Sequence, residues 1–178
     1  MFLNPTKIVE KFDILPGMKV ANFGIGAGYF TVEMAKRVGK NGVVYAFDVQ
    51  KEVLEALRGT VAHSQLQNVE IRRADLELDK GTNLANEIVD TVLMANLFYQ
   101  LDDEDAVAKE AYRILKSGGR AIVIDWMISD VAGVGPPKQL RISKDDMVDI
   151  FKNAGFDAGR EFDAGEYHYG LIFKKETR

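Results

Sequence analysis

A chain of 178 residues with no cysteine and a net charge of −4 excludes several function classes at once. Composition rules out disulfides, thiolate metal sites and a cysteine nucleophile, and the acidic balance disfavours nucleic-acid backbones, which need a clustered basic face. No apolar run approaches the ~20 residues of a membrane span and no leader-like segment opens the chain, so one cytoplasmic domain over residues 1–178 is expected.

In chain order, Asn4-Pro5 predicts the cap and first turn of a helix reaching about Phe12. Pro16-Gly17 turns the chain into a strand at Lys19–Phe23. Gly24, Gly26 and Gly28 follow, and Phe30, Met34, Ala35 and Val38 then recur at helical spacing. Asn41-Gly42 marks a turn, and Val43 to Phe47 reads as a strand ending at Asp48. Val53, Leu54, Leu57 and Val61 predict the next helix. Val69 to Arg72 alternates as a third strand and stops at Ala74-Asp75. Ile88 to Ala95 is nearly continuous in apolar character, as a strand buried on both faces should be.

The second half repeats the pattern. Asp102 has the chemistry of an N-cap, Val107, Ala111, Ile114 and Leu115 mark a helix, and Ser117-Gly118-Gly119 is expected to end it. Arg120–Trp126 reads as strand five, and residues 128–138 as an irregular loop. Ser143 with Asp146 resembles a capping box before Met147, Ile150, Phe151 and Ala154. Phe156–Phe162 and Tyr167–Lys174 complete the set. The short link between these last two forbids a parallel crossover, so the seventh strand must run antiparallel.

Alternating strands and helices with short links imply an α/β fold: a doubly wound, seven-stranded, mostly parallel sheet covered on both faces. Ligands on such sheets bind beyond the carboxyl ends of the strands. That rule gathers Gly24–Gly28, Asp48, Asp75, Asn96 and Asp125 on one rim. Glycines at every second position let a ligand lie against bare backbone, and the helix behind them offers unpaired N–H groups. A dinucleotide fingerprint requires glycine where this chain has Tyr29, so nicotinamide and flavin dinucleotides fit poorly.

Gly24-x-Gly26-x-Gly28, Asp48, Asp75-Leu76, the run from Asp90 to Asn96, and Leu115-Lys116-Ser117-Gly118-Gly119-Arg120 together resemble a class I S-adenosylmethionine-dependent methyltransferase. The resemblance spans residues 17–126 and extends to the antiparallel seventh strand. It implies that S-adenosyl-L-methionine is the cofactor, its ribose hydroxyls on Asp48 and its adenine against Val49. The exocyclic amine would face Asp75, and a ring nitrogen would meet the Leu76 N–H. Gly24, Ile25, Gly26, Gly28 and Asn96 would surround the methionine part. The family's usual acid two residues before the first glycine is replaced by Asn22, which can accept a hydrogen bond but brings no charge.

The implied reaction is direct methyl transfer to a small-molecule acceptor. A protein side chain as acceptor and a cofactor-binding module of weak or no activity are the competing readings. Tyr29, Phe98 and Tyr99 are placed to favour a cationic sulfonium. If a general base is used, His168 is the first candidate because its reference pKa lies nearest neutrality. Asp125 is the second, with binding substrate or satisfying a backbone amine as its other expected roles. No metal, membrane or nucleic-acid partner is expected.

Overall fold

The computed structural model describes residues 3–129 and 133–177; Met1, Phe2 and part of the predicted 128–138 loop lie outside them. Seven strands, β1 (Lys19–Phe23), β2 (Val43–Asp48), β3 (Val69–Arg73), β4 (Val89–Ala95), β5 (Leu115–Trp126), β6 (Arg160–Asp163) and β7 (His168–Lys174), form one sheet. Its order is β3-β2-β1-β4-β5-β7-β6. The first five strands run parallel, and β7 lies antiparallel between β5 and β6. The sixth strand lies at the margin of the sheet. Its one neighbour is the antiparallel β7, so β6 points the same way as β5, and the β6–β7 turn falls at the carboxyl rim.

Helices α1 (Pro5–Val9), α2 (Tyr29–Val38) and α3 (Lys51–His63) cover one face; α4 (Glu104–Ile114) and α5 (Lys144–Asn153) cover the other. Asn4 caps α1 through the Lys7 N–H at 3.2 Å, and Ser143 caps α5 through the Asp146 N–H at 3.1 Å, both as predicted. On the first face Ile8, Phe12, Met34 and Val38 pack on Val20, Val44, Leu93 and Ile122. On the second, Val107, Ile114, Met147 and Phe151 pack on Phe23, Val92, Val123 and Leu171. Phe151 stacks on Phe173 with ring centroids 4.3 Å apart. Each such fully buried side chain contributes ~1.5–3 kcal/mol relative to exposure. A sheet hidden on both faces accounts for the apolar run Val92–Ala95 of β4.

Three details differ from the sequence expectation. The cap of α4 is Asp103, which accepts the Ala106 N–H at 2.9 Å, and not Asp102. Ser117-Gly118-Gly119 does not end a helix: α4 stops at Ile114, Leu115 already pairs with Val89, and the triplet sits where the β4–β5 register slips. The sixth strand is shorter than predicted, because Asp157 Oδ1 accepts both the Gly159 and Lys174 N–H groups and bends the chain. Phe156 keeps only an isolated bridge to Lys175.

Finally, residues 74–88 cross from β3 to β4 without a helix. This arm is anchored by Glu110, whose Oε1 accepts the Thr82 N–H at 3.0 Å and the Thr82 hydroxyl at 2.5 Å. Arg113 secures it further, through Glu110 at 2.7 Å and the Leu84 carbonyl at 2.8 Å. Hydrogen bonds with a charged partner contribute ~1.5–3 kcal/mol each, enough to hold an arm that has no helical ladder of its own.

Candidate active site

A cavity of about 990 Å³ opens at the carboxyl ends of β1 to β4. That is the upper end of the roughly 300–1,000 Å³ of small-ligand pockets. Gly24 to Tyr29, Asp48, Val49, Asp75, Leu76, Asn96 and Tyr99 all line it. The strand-end rule therefore brings together residues spread over some 70 positions of sequence.

The floor is the glycine turn. Gly28 at φ 80° forms the cap of α2, and a Cβ there would stand 2.8 Å from Leu57. Gly26, at φ 53°, is different: a Cβ there would meet nothing within 4 Å. Its bareness serves no neighbour in the protein, so it leaves backbone open toward the cavity. Gly26→Ala is therefore expected to fold, at a cost of ~1–2 kcal/mol for a left-handed residue, yet to bind an occupant of the turn at least tenfold more weakly. Calorimetry beside a urea unfolding curve separates the two effects. Native affinity would show that nothing approaches this backbone.

Asp48 forms one wall. Its Oδ2 accepts the Ile25 N–H and its Oδ1 the Gln50 N–H, both at 3.0 Å. The carboxylate thus clamps the glycine turn to the start of α3. Each oxygen keeps a further lone pair for a ligand hydroxyl. Beside it Val49 is 51% exposed, an apolar surface with no protein covering it. Asp75 Oδ1 accepts the Glu77 N–H at 3.1 Å, leaving its other oxygen toward solvent. Asn96 adopts φ 55°, a left-handed conformation that asparagine tolerates better than most residues. Its carbonyl accepts from Gln100 Nε2 at 3.1 Å, and its Oδ1 is buried without a partner.

Four residues singled out from the sequence lie outside this lining: Asn22, Asp125, His168 and Phe98. Asn22 is 1% exposed beneath the glycine turn; Nδ2 donates to the Thr31 hydroxyl at 2.8 Å and Oδ1 has no partner. Asp125 is equally buried, its carboxylate accepting the Trp126 N–H at 2.7 Å and the Phe98 N–H at 3.2 Å. That matches the backbone-binding role considered for it. Burial pushes its pKa up to about 6, against the lowering effect of those two bonds. His168 sits behind Trp126, ring centroids 4.1 Å apart, with Nε2 buried and unpartnered. Burial, with the nearby Arg141 cation second, brings its pKa down to about 4. Phe98 is a core residue, packed on Phe151 at 5.9 Å.

Sequence reasoning did not single out Glu77, Gln100, Leu101, Glu33 or Lys36, all of which line the cavity. Near the N-terminus, Leu3 and Pro5 line the cavity, joined by Thr6 of α1. The described part of 128–138 does not; Arg141 instead binds the Pro136, Met127 and Val134 carbonyls and gathers that loop against Trp126.

The residues fit S-adenosylmethionine: bare backbone at Gly26, an orphaned acceptor at Asn96, an open apolar face at Val49 and a carboxylate with free lone pairs at Asp48. Among the described residues no cluster could hold a metal ion, and no helix is long and apolar enough to cross a membrane.

Comparison with known proteins agrees with this geometry. A solved S-adenosylmethionine-dependent methyltransferase from Aquifex aeolicus superposes with a TM-score of 0.88 at 29% identity, covering 97% of this chain and 90% of that one. An arsenite methyltransferase from Halobacterium salinarum is 29% identical over 74% of this chain and 32% of its own length. A demethylmenaquinone methyltransferase from Lactococcus lactis is 25% identical over 67% and 46% respectively. The chain thus spans less than half the length of these curated relatives. The family model described as a methyltransferase domain matches residues 14–155. With that match running from before β1 to just beyond α5, the chain belongs to the class I S-adenosylmethionine-dependent methyltransferases.

Proposed function

We propose that residues 1–178 act as one cytoplasmic domain that methylates an uncharged or cationic small molecule whose reacting atom needs no base from the protein. The observation that carries this reading is the strand-end cavity, with bare Gly26 backbone as floor and the Asp48 carboxylate as wall. When bound, S-adenosylmethionine supplies an electrophilic methyl on a cationic sulfonium. Asp48 would hold the ribose hydroxyls, Val49 the adenine face, the Leu76 N–H a ring nitrogen, Asp75 the exocyclic amine, and the Gly24–Gly28 turn with Asn96 the amino-acid tail.

Tyr29, 67% exposed at the cavity, and Tyr99 flank the space that remains. An aromatic face near a cation contributes ~0.5–2 kcal/mol. Asp125 acts one step back: by holding the Phe98 N–H it fixes the turn that presents Tyr99. Alignment of donor and acceptor supplies most of the catalysis, ~7–11 kcal/mol in well-oriented systems.

The acceptor class follows from what the lining offers. Among the described residues it includes Glu33, Asp48, Asp75 and Glu77 but a single cation, Lys36, which pairs with Glu33 at 2.7 Å. Four carboxylates against one ammonium leave a net −3, unfavourable to an anionic acceptor. Among the described residues no histidine lines the cavity, and His168 and Asp125 stand outside it. The acceptor must then carry its own lone pair or electron-rich carbon. Of the acceptors in the relatives' names, arsenite is disfavoured, because a soft trivalent metalloid calls for thiolates and the chain has none. A weakly polar ring compound suits Tyr29, Phe30, Tyr99 and Leu101 better.

The test is transfer of isotopic methyl from S-adenosylmethionine to a panel comprising a demethylated quinol, aromatic amines, arsenite and unfolded protein. Label in the organic ring compounds, at a rate unchanged by His168→Ala across neutral pH, is expected. Label confined to arsenite or to precipitated protein would overturn the acceptor class. Binding without any transfer would favour a non-catalytic module.

A further inference from the structure

Glu77 carries a contact that the reaction as described does not use. It stands on the helix-free arm between β3 and β4, two residues beyond Asp75, and it lines the cavity. Its Oε1 accepts the Asp102 N–H at 2.7 Å and the Asp103 N–H at 2.6 Å. Those amides lead into α4, and Asp103 is its cap. Just before them in sequence, Asn96, Tyr99, Gln100 and Leu101 form the cavity wall opposite the arm. One carboxylate therefore bridges the adenine edge at Asp75-Leu76 to the wall that faces the acceptor.

We propose that Glu77 is a positioning residue: a clasp through which occupation of the adenine edge by the cofactor fixes the Asn96–Leu101 wall of the acceptor space. Three features support it. Asp75 and Glu77 are already joined, Asp75 Oδ1 accepting the Glu77 N–H at 3.1 Å, so a ligand that orders Asp75 also orders Glu77. The rest of the arm is held independently by Thr82, Glu110 and Arg113, so the clasp is not what keeps the arm folded. The Asp103 cap on Ala106 is likewise separate, so α4 retains its start without Glu77.

The inference rests on assigning the cavity to the cofactor, and the experiment reads the two apart. Backbone hydrogen exchange at Asp102 and Asp103 would be followed by NMR, with and without saturating S-adenosylhomocysteine. Wild type, Glu77→Gln and Glu77→Ala would be compared, with dissociation constants from calorimetry. In wild type the ligand is expected to slow exchange at both amides at least tenfold. Glu77→Gln, which retains an acceptor oxygen, should keep part of that response. Glu77→Ala should fold, bind roughly tenfold more weakly, and show no ligand-induced slowing at 102 and 103.

An equal response in Glu77→Ala, or none in wild type at saturation, overturns the clasp while leaving the cofactor site standing. A Glu77→Ala chain that fails to fold would make the residue a plain support, and also overturns it. Failure of S-adenosylhomocysteine to bind wild type would remove the cofactor assignment itself.

Discussion

Asp48→Ala is expected to weaken S-adenosylmethionine binding by ~2–4 kcal/mol, roughly 30- to 1,000-fold, and to destabilise the empty protein by a similar amount. The two losses have one origin. In the empty protein the carboxylate already pairs the Ile25 and Gln50 N–H groups at 3.0 Å, in a residue only 8% exposed. Alanine would leave both amides without an acceptor, at ~1–3 kcal/mol each. It would also unclamp the glycine turn from α3, so the bare backbone at Gly26 would no longer be held in place. Asp48→Asn keeps one acceptor oxygen and should fall between. Calorimetric titration gives the affinity and urea unfolding the stability. A mutant that loses stability but binds normally would show that the ribose lies elsewhere.

The second large effect is concealed in the wild type. Burial holds Asp125 at a pKa of about 6 instead of 3.8 and His168 at about 4 instead of 6.5. For Asp125 the folded state binds its proton more tightly than the unfolded chain, so its cost is fully present above pH 6 and disappears on acidification toward 4. For His168 the unfolded chain takes the proton first, so a cost absent above 6.5 grows as pH falls toward 4. At 1.36 kcal/mol per pKa unit, each amounts to about 2 kcal/mol between pH 7 and 4.5. The two oppose each other.

The wild type should accordingly show a flatter profile over that window than either variant. His168→Phe is expected to gain about 2 kcal/mol on going from pH 7 to 4.5 relative to wild type, and Asp125→Asn to lose about as much. Other carboxylates titrate alike in all three proteins and cancel in the comparison. Urea unfolding followed by circular dichroism at the two pH values is sufficient. Three parallel profiles would mean that neither group is buried as described.

What the sequence made legible was local. Alternate glycines after an apolar run point to an open turn at a strand end, and Asp48 follows an apolar strand at its carboxyl end. The strand-end rule then gathered Asp75 and Asn96 without any contact being known. Contacts fixed by long-range register were not legible. His168 is singled out by its reference pKa alone, but antiparallel pairing sets it opposite Trp126, whose ring covers it. Asp102 and Asp103 have the same capping chemistry. Glu77, 26 residues from Asp103, takes the N–H groups of both, while only the Asp103 carboxylate reaches the Ala106 N–H. The sixth strand was misjudged for a similar reason: the bend at Asp157 depends on its bond to Lys174, which no window of sequence contains.

The sheet ends at β3 on one side and β6 on the other. Unpaired strands of this kind invite fibrous stacking between molecules unless charge deters it. β3 carries Glu70 and Arg72, ion-paired at 2.6 Å, with Arg73 beside them, and β6 is only four residues long with Arg160, Glu161 and Asp163. Both margins are thus guarded against lateral growth, and copies of this chain that associate would have to do so through helices or loops.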